Sequence, residues 1–250
     1  MSHIIIPSKI GISLDVDGTL VDSDRECYKR VCEAWSRQYD QEYPLSYEQF
    51  HSFRPLVSSV EDFFTYSKIM IDNECVLPEN ADEIHAEYLN NPNMMRMTEF
   101  FYANRKDIQS RNMVEWVKEN PVYEGVPDMF DDLSKTRWNV FVVTSKDRNS
   151  VQAILSYHGF DRGIMNIYDK EYGKRPQQFA KASAGMGIDI KNIIPYDDLL
   201  KQLQAAKSLG MFAVGAPQGY GINEEIERAG FTLAYPNEFT STVEEHLRNI

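Results

Sequence analysis

The stretch Leu14-Asp-Val-Asp-Gly-Thr-Leu20 carries more information about fold and function than any other part of the chain. It continues the apolar run that begins at Ile10, and a short apolar run ending in acids and glycine is typical of a buried strand that enters a tight loop. Asp15 and Asp17 would then lie at the carboxyl end of a strand, where open α/β sheets bind their ligands. One such carboxylate can attack a phosphorus atom while its neighbour handles the leaving group's proton. The alternative is a surface turn, in which Asp-Gly pairs are common.

Length and charge limit the classes of protein that the chain can represent. Its 250 residues suffice for one large domain or two small ones, and its net charge of −12 argues against a nucleic acid or an anionic membrane as the main partner. The three cysteines have neither a disulfide framework nor metal-type spacing. No segment approaches the roughly 20 apolar residues of a membrane span, and the apolar run at the amino end is too short for a signal peptide. We therefore expect a cytoplasmic protein.

The order of the predicted elements indicates an α/β protein with a helical insertion. Residues 22–120 show helical spacing and no convincing strand, whereas from Val122 onward short apolar runs alternate with helices. Such alternation is typical of a parallel sheet. We predict a Rossmann-like, doubly wound parallel core from residues 1–22 and 122–250, with an all-helical cap domain inserted at residues 23–121. The later predicted strands are 139–144, 164–168, 193–196, 211–214 and 231–234.

Polar side chains near the predicted strand ends are expected to meet at one edge of this sheet. Asp15 and Asp17 follow the first strand, Thr144 follows the second, Asp198 follows a later strand, and Lys174 precedes a helix. Mg²⁺ prefers one or two carboxylates plus water and substrate oxygens, which Asp15 and Asp198 can supply. A threonine hydroxyl and a lysine can neutralise charge on a transferring phosphoryl group. Asp17 can protonate the leaving oxygen and then deprotonate a water molecule.

The chain resembles the haloacid dehalogenase superfamily, and within it the phosphoglycolate phosphatase-like members that carry a helical cap. The resemblance implies that Asp15 is the nucleophile, that Asp17 is the general acid/base, and that Thr144 and Lys174 hold the phosphoryl group. It also implies that Mg²⁺ is bound by Asp15, by Asp198 and by the main-chain carbonyl of Asp17. The motifs that carry the resemblance are Leu14-Asp-Val-Asp-Gly-Thr-Leu20, Val142-Val-Thr-Ser-Lys146, Gly173-Lys-Arg-Pro176 and Tyr196-Asp-Asp198.

The implied function is a Mg²⁺-dependent phosphatase that hydrolyses a small phosphorylated metabolite through an aspartyl-phosphate on Asp15. The alternatives are a sugar-phosphate mutase of the same superfamily and a non-catalytic binding or regulatory protein. The predicted substrate contacts are Thr144, Ser145, Lys174 and Arg54. Arg54 is included because an Arg-Pro pair in a cap loop suits a second anionic group. We expect a monomer or a homodimer, with neither nucleic acid nor membrane as a partner.

Three residues depart from the family's pattern. The last motif usually reads Gly-Asp with a second acid four residues later, but here Asp197 replaces the glycine and Gln202 replaces that acid. Gln202 can still bind a metal-bound water, although it removes one negative charge. Arg175 interrupts the usual Lys-Pro pair, and we expect its side chain to face solvent, with a share in the role of Lys174 as the alternative. Lys146 lies two residues after Thr144, where it can contact the substrate.

Overall fold

The computed structural model describes residues 9–88 and 91–249. The chain divides into two compact units, one made of residues 1–22 with 121–250 and the other of residues 23–120. We call them the α/β unit and the helical unit. The assignment of these units as catalytic core and cap stays a prediction, and the amino-terminal run tested for a signal peptide lies outside the described residues. Within the described part of the chain, every helix falls short of the length or the apolar character that crossing a membrane requires.

The helices are numbered along the chain. Those of the helical unit are α1 (Asp24–Tyr39), α2 (Tyr47–Ser52), α3 (Val60–Asp72), α4 (Ala81–Tyr88) and α5 (Pro92–Lys118). Those of the α/β unit are α6 (Val126–Lys135), α7 (Arg148–His158), α8 (Arg175–Met186), α9 (Leu200–Ser208), α10 (Asn223–Arg228) and α11 (Pro236–Arg248).

A six-stranded parallel sheet organises the α/β unit, with the strands in the order β3-β2-β1-β4-β5-β6. Leu14 of the central strand β1 pairs with Val142 on one side and with Tyr196 on the other. The strand order reverses beside β1, and such a switch point leaves a crevice at the carboxyl ends of the strands. The prediction of a doubly wound parallel sheet is confirmed. The strands are β1 (Gly11–Leu14), β2 (Asn139–Val143), β3 (Ile167–Tyr168), β4 (Ile193–Asp197), β5 (Val214–Gly215) and β6 (Thr232–Leu233).

Helices cover both faces of this sheet, which explains why the central strands are apolar throughout. Phe141 and Phe179 belong to one buried cluster, in which side chains of β2 pack with those of α8 and α9. On the opposite face, the ring of Tyr196 lies 4.4 Å from the ring of Phe239 in α11. Helix α11 was absent from our prediction, although Pro236 in its first turn and the buried pair Phe239 and Val243, four residues apart, are helix signals.

The helical unit is built around an aromatic core, and a buried ion pair joins its first and last helices. Glu26 of α1 is fully buried and accepts hydrogen bonds from Arg105 Nε at 3.1 Å and from Trp116 Nε1 at 2.9 Å, both in α5. The α5 backbone leaves helical geometry at Asn112, whose side-chain oxygen accepts the Glu115 N–H and so caps the following turns. Through the ion pair with Arg105 and the hydrogen bond from Trp116, Glu26 therefore ties the first helix of the unit to both parts of the last one.

We expect Arg105→Met to destabilise the helical unit by about 3–5 kcal/mol, because it leaves a carboxylate buried without its cation. Glu26→Gln in the same chain should restore much of this loss by removing the orphaned charge. The exposed Arg111, which pairs with Asp107 on the surface of α5, is the matched control, and Arg111→Met should change the unfolding free energy by no more than about 0.5 kcal/mol. Urea unfolding followed by tryptophan fluorescence measures all three. Equal effects of the two arginine substitutions would contradict the assignment.

Candidate active site

The loop after β1 presents two carboxylates at the carboxyl end of the central strand. The Asp15 N–H donates to the Tyr196 carbonyl at 3.0 Å, which extends the ladder with β4 one residue beyond the strand. Gly18 adopts a φ of 83° in the left-handed region, where other residues are strained, and its N–H donates to the Val21 carbonyl at 2.9 Å. The resulting tight turn carries Asp17 next to the strand end that holds Asp15.

Arg175, at the first position of α8, is buried against Asp15. Its Nη2 lies 3.2 Å from Asp15 Oδ1 and 2.9 Å from Asp197 Oδ2, Nη1 donates to the Val143 carbonyl, and Nε donates to Gln202 Oε1 at 3.3 Å. The prediction that Arg175 faces solvent is therefore wrong. Asp197, which replaces a glycine, supplies a second buried carboxylate for the guanidinium, and this role was not predicted from the sequence. Gln202, which we expected to bind a metal-bound water, accepts a hydrogen bond from the same group.

Burial and neighbouring charges both shift the pKa values of this cluster. Burial raises the pKa of Asp15, while the Arg175 guanidinium lowers it and Asp17 raises it further. Burial raises the pKa of Asp197 well above its usual range, again against the effect of Arg175 and with a contribution from Asp15. Burial would lower the pKa of Arg175, but Asp197 and Asp15 outweigh it and raise that pKa. Arg175 thus brings a permanent positive charge to the strand ends.

Lys174, which was predicted to hold the phosphoryl group, has a different environment from that of Arg175. Its side chain is exposed, and its backbone N–H donates to Gln177 Oε1 at 2.6 Å at the start of α8. Among the ion pairs of the described residues, the cation that contacts Asp15 belongs to Arg175. The structure thus brings Arg175, one residue further along the chain, to the place that sequence analysis gave to Lys174.

A second cation, that of Lys146, contacts Asp17. The Lys146 ammonium lies 2.7 Å from Asp17 Oδ1, and the lysine side chain is 1% exposed whereas that of Asp17 is 24% exposed. The amine is therefore buried beneath a carboxylate that still reaches solvent. Thr144 is buried at the end of β2 and its Oγ1 accepts the Lys146 N–H at 3.2 Å, while Ser145 between them is exposed.

Gln178 of α8 is a buried residue of the site that sequence analysis did not identify. Its side-chain amide lies within hydrogen-bond distance of the carbonyls of Thr144 (2.7 Å), Tyr168 (3.2 Å) and Asp169 (2.8 Å). This amide therefore joins the ends of β2 and β3 and fixes the backbone around Thr144. Its position three residues after Arg175, on the inward side of the same helix, is the signal that could have identified it.

The carboxylates of Asp15, Asp197 and Asp198 each offer an oxygen, and these oxygens lie within 4.8 Å of one another. Asp198 is fully buried, and its Oδ2 accepts the Tyr220 N–H at 2.8 Å. Grouped carboxylate oxygens are the donors that Mg²⁺ prefers, so this set fits a hard divalent cation. Both oxygens of Asp197 have partners, Oδ2 in Arg175 and Oδ1 in the Leu199 N–H, whereas Arg175 contacts Asp15 through Oδ1. Asp15 and Asp198 are therefore the better candidates for metal ligands.

Small residues allow the backbone to close tightly around Asp198. A Cβ built on Gly219 would overlap both the Asp198 Cβ and the Gly18 carbonyl oxygen, and one on Gly221 would overlap the Asp198 carbonyl oxygen. Glycine is therefore required at these positions for steric reasons. The close approach to Asp198 thus gives the sequence Gly219-Tyr-Gly221 its physical basis.

Arg54, the predicted substrate contact in the helical unit, is buried and paired. Its Nε lies 2.8 Å from Asp24 Oδ1, and its guanidinium lies 4.9 Å from the centre of the Phe63 ring. Asp24 also contacts His51 Nδ1 at 2.7 Å. These contacts give Arg54 a structural role inside its own unit, and its contact with a substrate stays a prediction.

Comparison with known proteins places this arrangement in a family. The family model described as haloacid dehalogenase-like hydrolase matches residues 11–210, which is most of the chain. The chain belongs to the haloacid dehalogenase-like hydrolase family. The matched region contains β1 to β4 and spans both units, and it includes Asp15, Asp17, Arg175 and Asp198. Strands β5 and β6 and the segment 219–221 lie beyond it.

Individual relatives are distant. The chain is 25% identical over 122 residues to a 5'-nucleotidase of Pseudomonas aeruginosa, a match that covers 47% of this chain and 55% of that protein. A predicted phosphoglycolate phosphatase from Haemophilus somnus superposes with a TM-score of 0.67 at 18% identity, over 94% of this chain and 99% of the other. A family hydrolase from Deinococcus radiodurans with bound phosphate and sodium gives 0.61 at 14% identity, over 96% of each chain. At sequence identities of 18% and 14%, the two structural similarities establish the fold alone.

We expect Gly219→Ala to weaken Mg²⁺ binding by about 10- to 100-fold, the usual effect of disturbing a residue that supports a metal ligand. The new methyl group has to displace Asp198 or the Gly18 carbonyl. Gly163→Ala is the matched control, since its Cβ would meet only Phe130 Cδ1 at 3.9 Å, an ordinary contact. Isothermal titration calorimetry of both variants measures the affinity. Unchanged Mg²⁺ binding in a folded Gly219→Ala protein would remove Asp198 from the ligand set.

Proposed function

We propose that this protein is a Mg²⁺-dependent phosphatase that hydrolyses small phosphorylated metabolites through an aspartyl-phosphate on Asp15. The observation that carries the proposal is a buried carboxylate at the carboxyl end of the central strand, 3.2 Å from the guanidinium of Arg175 and close to the carboxylate of Asp198. A cation on one side and an acid two residues away are what nucleophilic phosphoryl transfer requires.

Asp15 is the proposed nucleophile. Arg175 holds its Oδ1, so we assign the attack to Oδ2. The bond from Oδ2 to phosphorus forms as the bond from phosphorus to the ester oxygen breaks, and the leaving oxygen takes a proton from Asp17. Mg²⁺, bound by Asp15, Asp198 and the main-chain carbonyl of Asp17, would screen negative charge between the carboxylate and the phosphoryl group.

Asp17 is the proposed acid/base. It is the more exposed member of its pair with Lys146, so it can reach both a leaving group and a water molecule. In the second step it removes a proton from water, the hydroxide attacks phosphorus, and the bond between phosphorus and Asp15 breaks to release inorganic phosphate. The Lys146 ammonium orients this carboxylate through both steps.

In this proposal, Arg175 and the Thr144 hydroxyl neutralise the negative charge of the phosphoryl group. Arg175 replaces Lys174 in this role because its buried guanidinium contacts Asp15, whereas the Lys174 side chain is exposed. Planar guanidinium donors match phosphoryl oxygens well, which supports the replacement. Thr144, Ser145 and Arg54 stay in the proposed set of substrate contacts.

The relatives indicate only broadly which class of substrate to test. The names of two relatives make nucleoside 5'-monophosphates and phosphoglycolate the first compounds for a phosphorylated-metabolite panel. Sugar phosphates belong in the same panel, since a mutase is the alternative enzyme. We keep the cytoplasmic location as a prediction.

Asp15→Asn should abolish hydrolysis of p-nitrophenyl phosphate, lowering kcat by about 10⁴-fold or more, because the amide is not a nucleophile. Wild-type activity should require Mg²⁺ and disappear with EDTA. The control variant is Asp189→Asn, an exposed residue that caps the turn before β4, and it should keep wild-type rates. Circular dichroism establishes that each variant is folded. Near-normal turnover by Asp15→Asn would rule out Asp15 as the nucleophile.

Asp17→Asn should lower kcat by about 10²- to 10⁴-fold, the usual contribution of a general acid/base. Because p-nitrophenolate leaves without needing a proton, its release should persist as a burst of one equivalent per active site, followed by slow hydrolysis of the acyl phosphate. An alkyl phosphate should give no burst. Stopped-flow absorbance at high enzyme concentration separates the two phases. Equal loss in both phases for p-nitrophenyl phosphate would contradict the assigned role.

A further inference from the structure

We propose that Asp197 is a positioning residue that holds the Arg175 guanidinium against Asp15, with Gln202 as the second support. We call Arg175, Asp197 and Gln202 the arginine cradle. All three residues depart from the family's usual pattern, and in the structure they contact one another. The role assigned to Arg175 in phosphoryl transfer rests on the proposed function, whereas the positioning itself does not.

The guanidinium is held by protein groups on all three of its nitrogens. Nη1 donates to the Val143 carbonyl, Nη2 contacts both Asp15 and Asp197, and Nε donates to Gln202. Arg175 is buried, so these acceptors replace water. The orientation of its donors is therefore fixed before any substrate arrives, as preorganised electrostatic stabilisation requires.

Asp197 is engaged through both of its oxygens. Oδ1 accepts the Leu199 N–H at 3.1 Å, and Oδ2 lies 2.9 Å from Arg175 Nη2, nearer than Asp15 Oδ1 at 3.2 Å. The backbone bond locks the carboxylate at the end of β4, where it can act as a fixed anchor for the arginine. With both oxygens engaged by protein groups, Asp197 is a poorer metal ligand than Asp198 despite their closeness.

The chemistry proposed for Asp15 explains why Arg175 needs Asp197 as a second carboxylate partner. When Asp15 forms a bond to phosphorus, its carboxylate charge is consumed in the acyl linkage. A buried arginine held by Asp15 alone would then lose the carboxylate that fixes its position, at the step in which it has to neutralise the phosphoryl group. Asp197 takes no part in the bond changes, so it keeps Arg175 paired and in place through both steps.

The competing explanation is that Asp197 binds the metal, since its oxygen belongs to the same 4.8 Å group as those of Asp15 and Asp198. The two explanations differ in what loss of the Asp197 charge does. A positioning role predicts a mobile Arg175 and unchanged metal affinity, whereas a ligand role predicts weaker metal binding with Arg175 still in place.

The test compares Asp197→Asn with Asp189→Asn, which lies at the other end of β4 and is exposed. Four quantities are measured in each: kcat and KM for p-nitrophenyl phosphate, the Mg²⁺ dissociation constant by calorimetry, and the exchange rate of the Arg175 Nε–H with water by NMR. Arg175→Lys assigns the Nε–H signal by its disappearance. Gln202→Leu provides a milder disturbance of the same cradle.

We expect Asp197→Asn to lower kcat by about 10- to 100-fold, as loss of an orienting partner usually does, with Mg²⁺ affinity unchanged. Exchange of the Arg175 Nε–H should accelerate at least about tenfold, an effect that follows from local opening. Gln202→Leu should shift the same quantities less, and Asp189→Asn should shift none. In an Arg175→Lys background, Asp197→Asn should lower kcat little further, since the residue it positions is gone.

Two results would overturn the proposal: weakened Mg²⁺ binding with unchanged exchange at Arg175, or additive losses in the double variant. Failure of the proposed function gives a different pattern. In that case the wild-type protein hydrolyses nothing, while the exchange measurement still shows whether Asp197 holds Arg175.

Discussion

One buried guanidinium shared between two carboxylates is the interaction on which the arrangement of this site depends. Arg175 joins the end of β1 through Asp15, the end of β2 through the Val143 carbonyl, and the end of β4 through Asp197. Three neighbouring strands and the start of α8 thus meet on one side chain. Because each unpaired group would be costly when buried, the cluster fixes the relative position of the groups that carry the proposed chemistry.

The parallel sheet makes this convergence possible. Residues separated by more than one hundred positions meet because β1 lies between β2 and β4 and all three strands run in the same direction. The chain leaves the sheet after β1, forms the helical unit, and returns to build the remaining strands. Gly219 and Gly221 then let the loop after β5 approach the loops after β1 and β4 closely enough for the Tyr220 N–H to hold the Asp198 carboxylate.

Features that depend on local sequence patterns were predicted correctly, whereas features that depend on contacts between distant segments were not. The buried strands and the acids after them were predictable, because apolar runs and tight turns leave local signals. The inward position of Arg175 was not, since it depends on Asp197 and Gln202 together. The departures at Asp197 and Gln202 are the ground for the non-catalytic alternative. Taken together they support a rearranged site, which favours an active enzyme over a non-catalytic relative.

The central claim is that Asp15 becomes phosphorylated. Incubating the wild-type protein with p-nitrophenyl phosphate and Mg²⁺, then quenching with borohydride, reduces an acyl phosphate to an alcohol at the residue that carried it. Peptide mass spectrometry then identifies that residue. The account predicts homoserine at position 15 in turning-over enzyme, and the unmodified residue when substrate is omitted. Turnover without reduction at Asp15, or with reduction at another carboxylate, would contradict it.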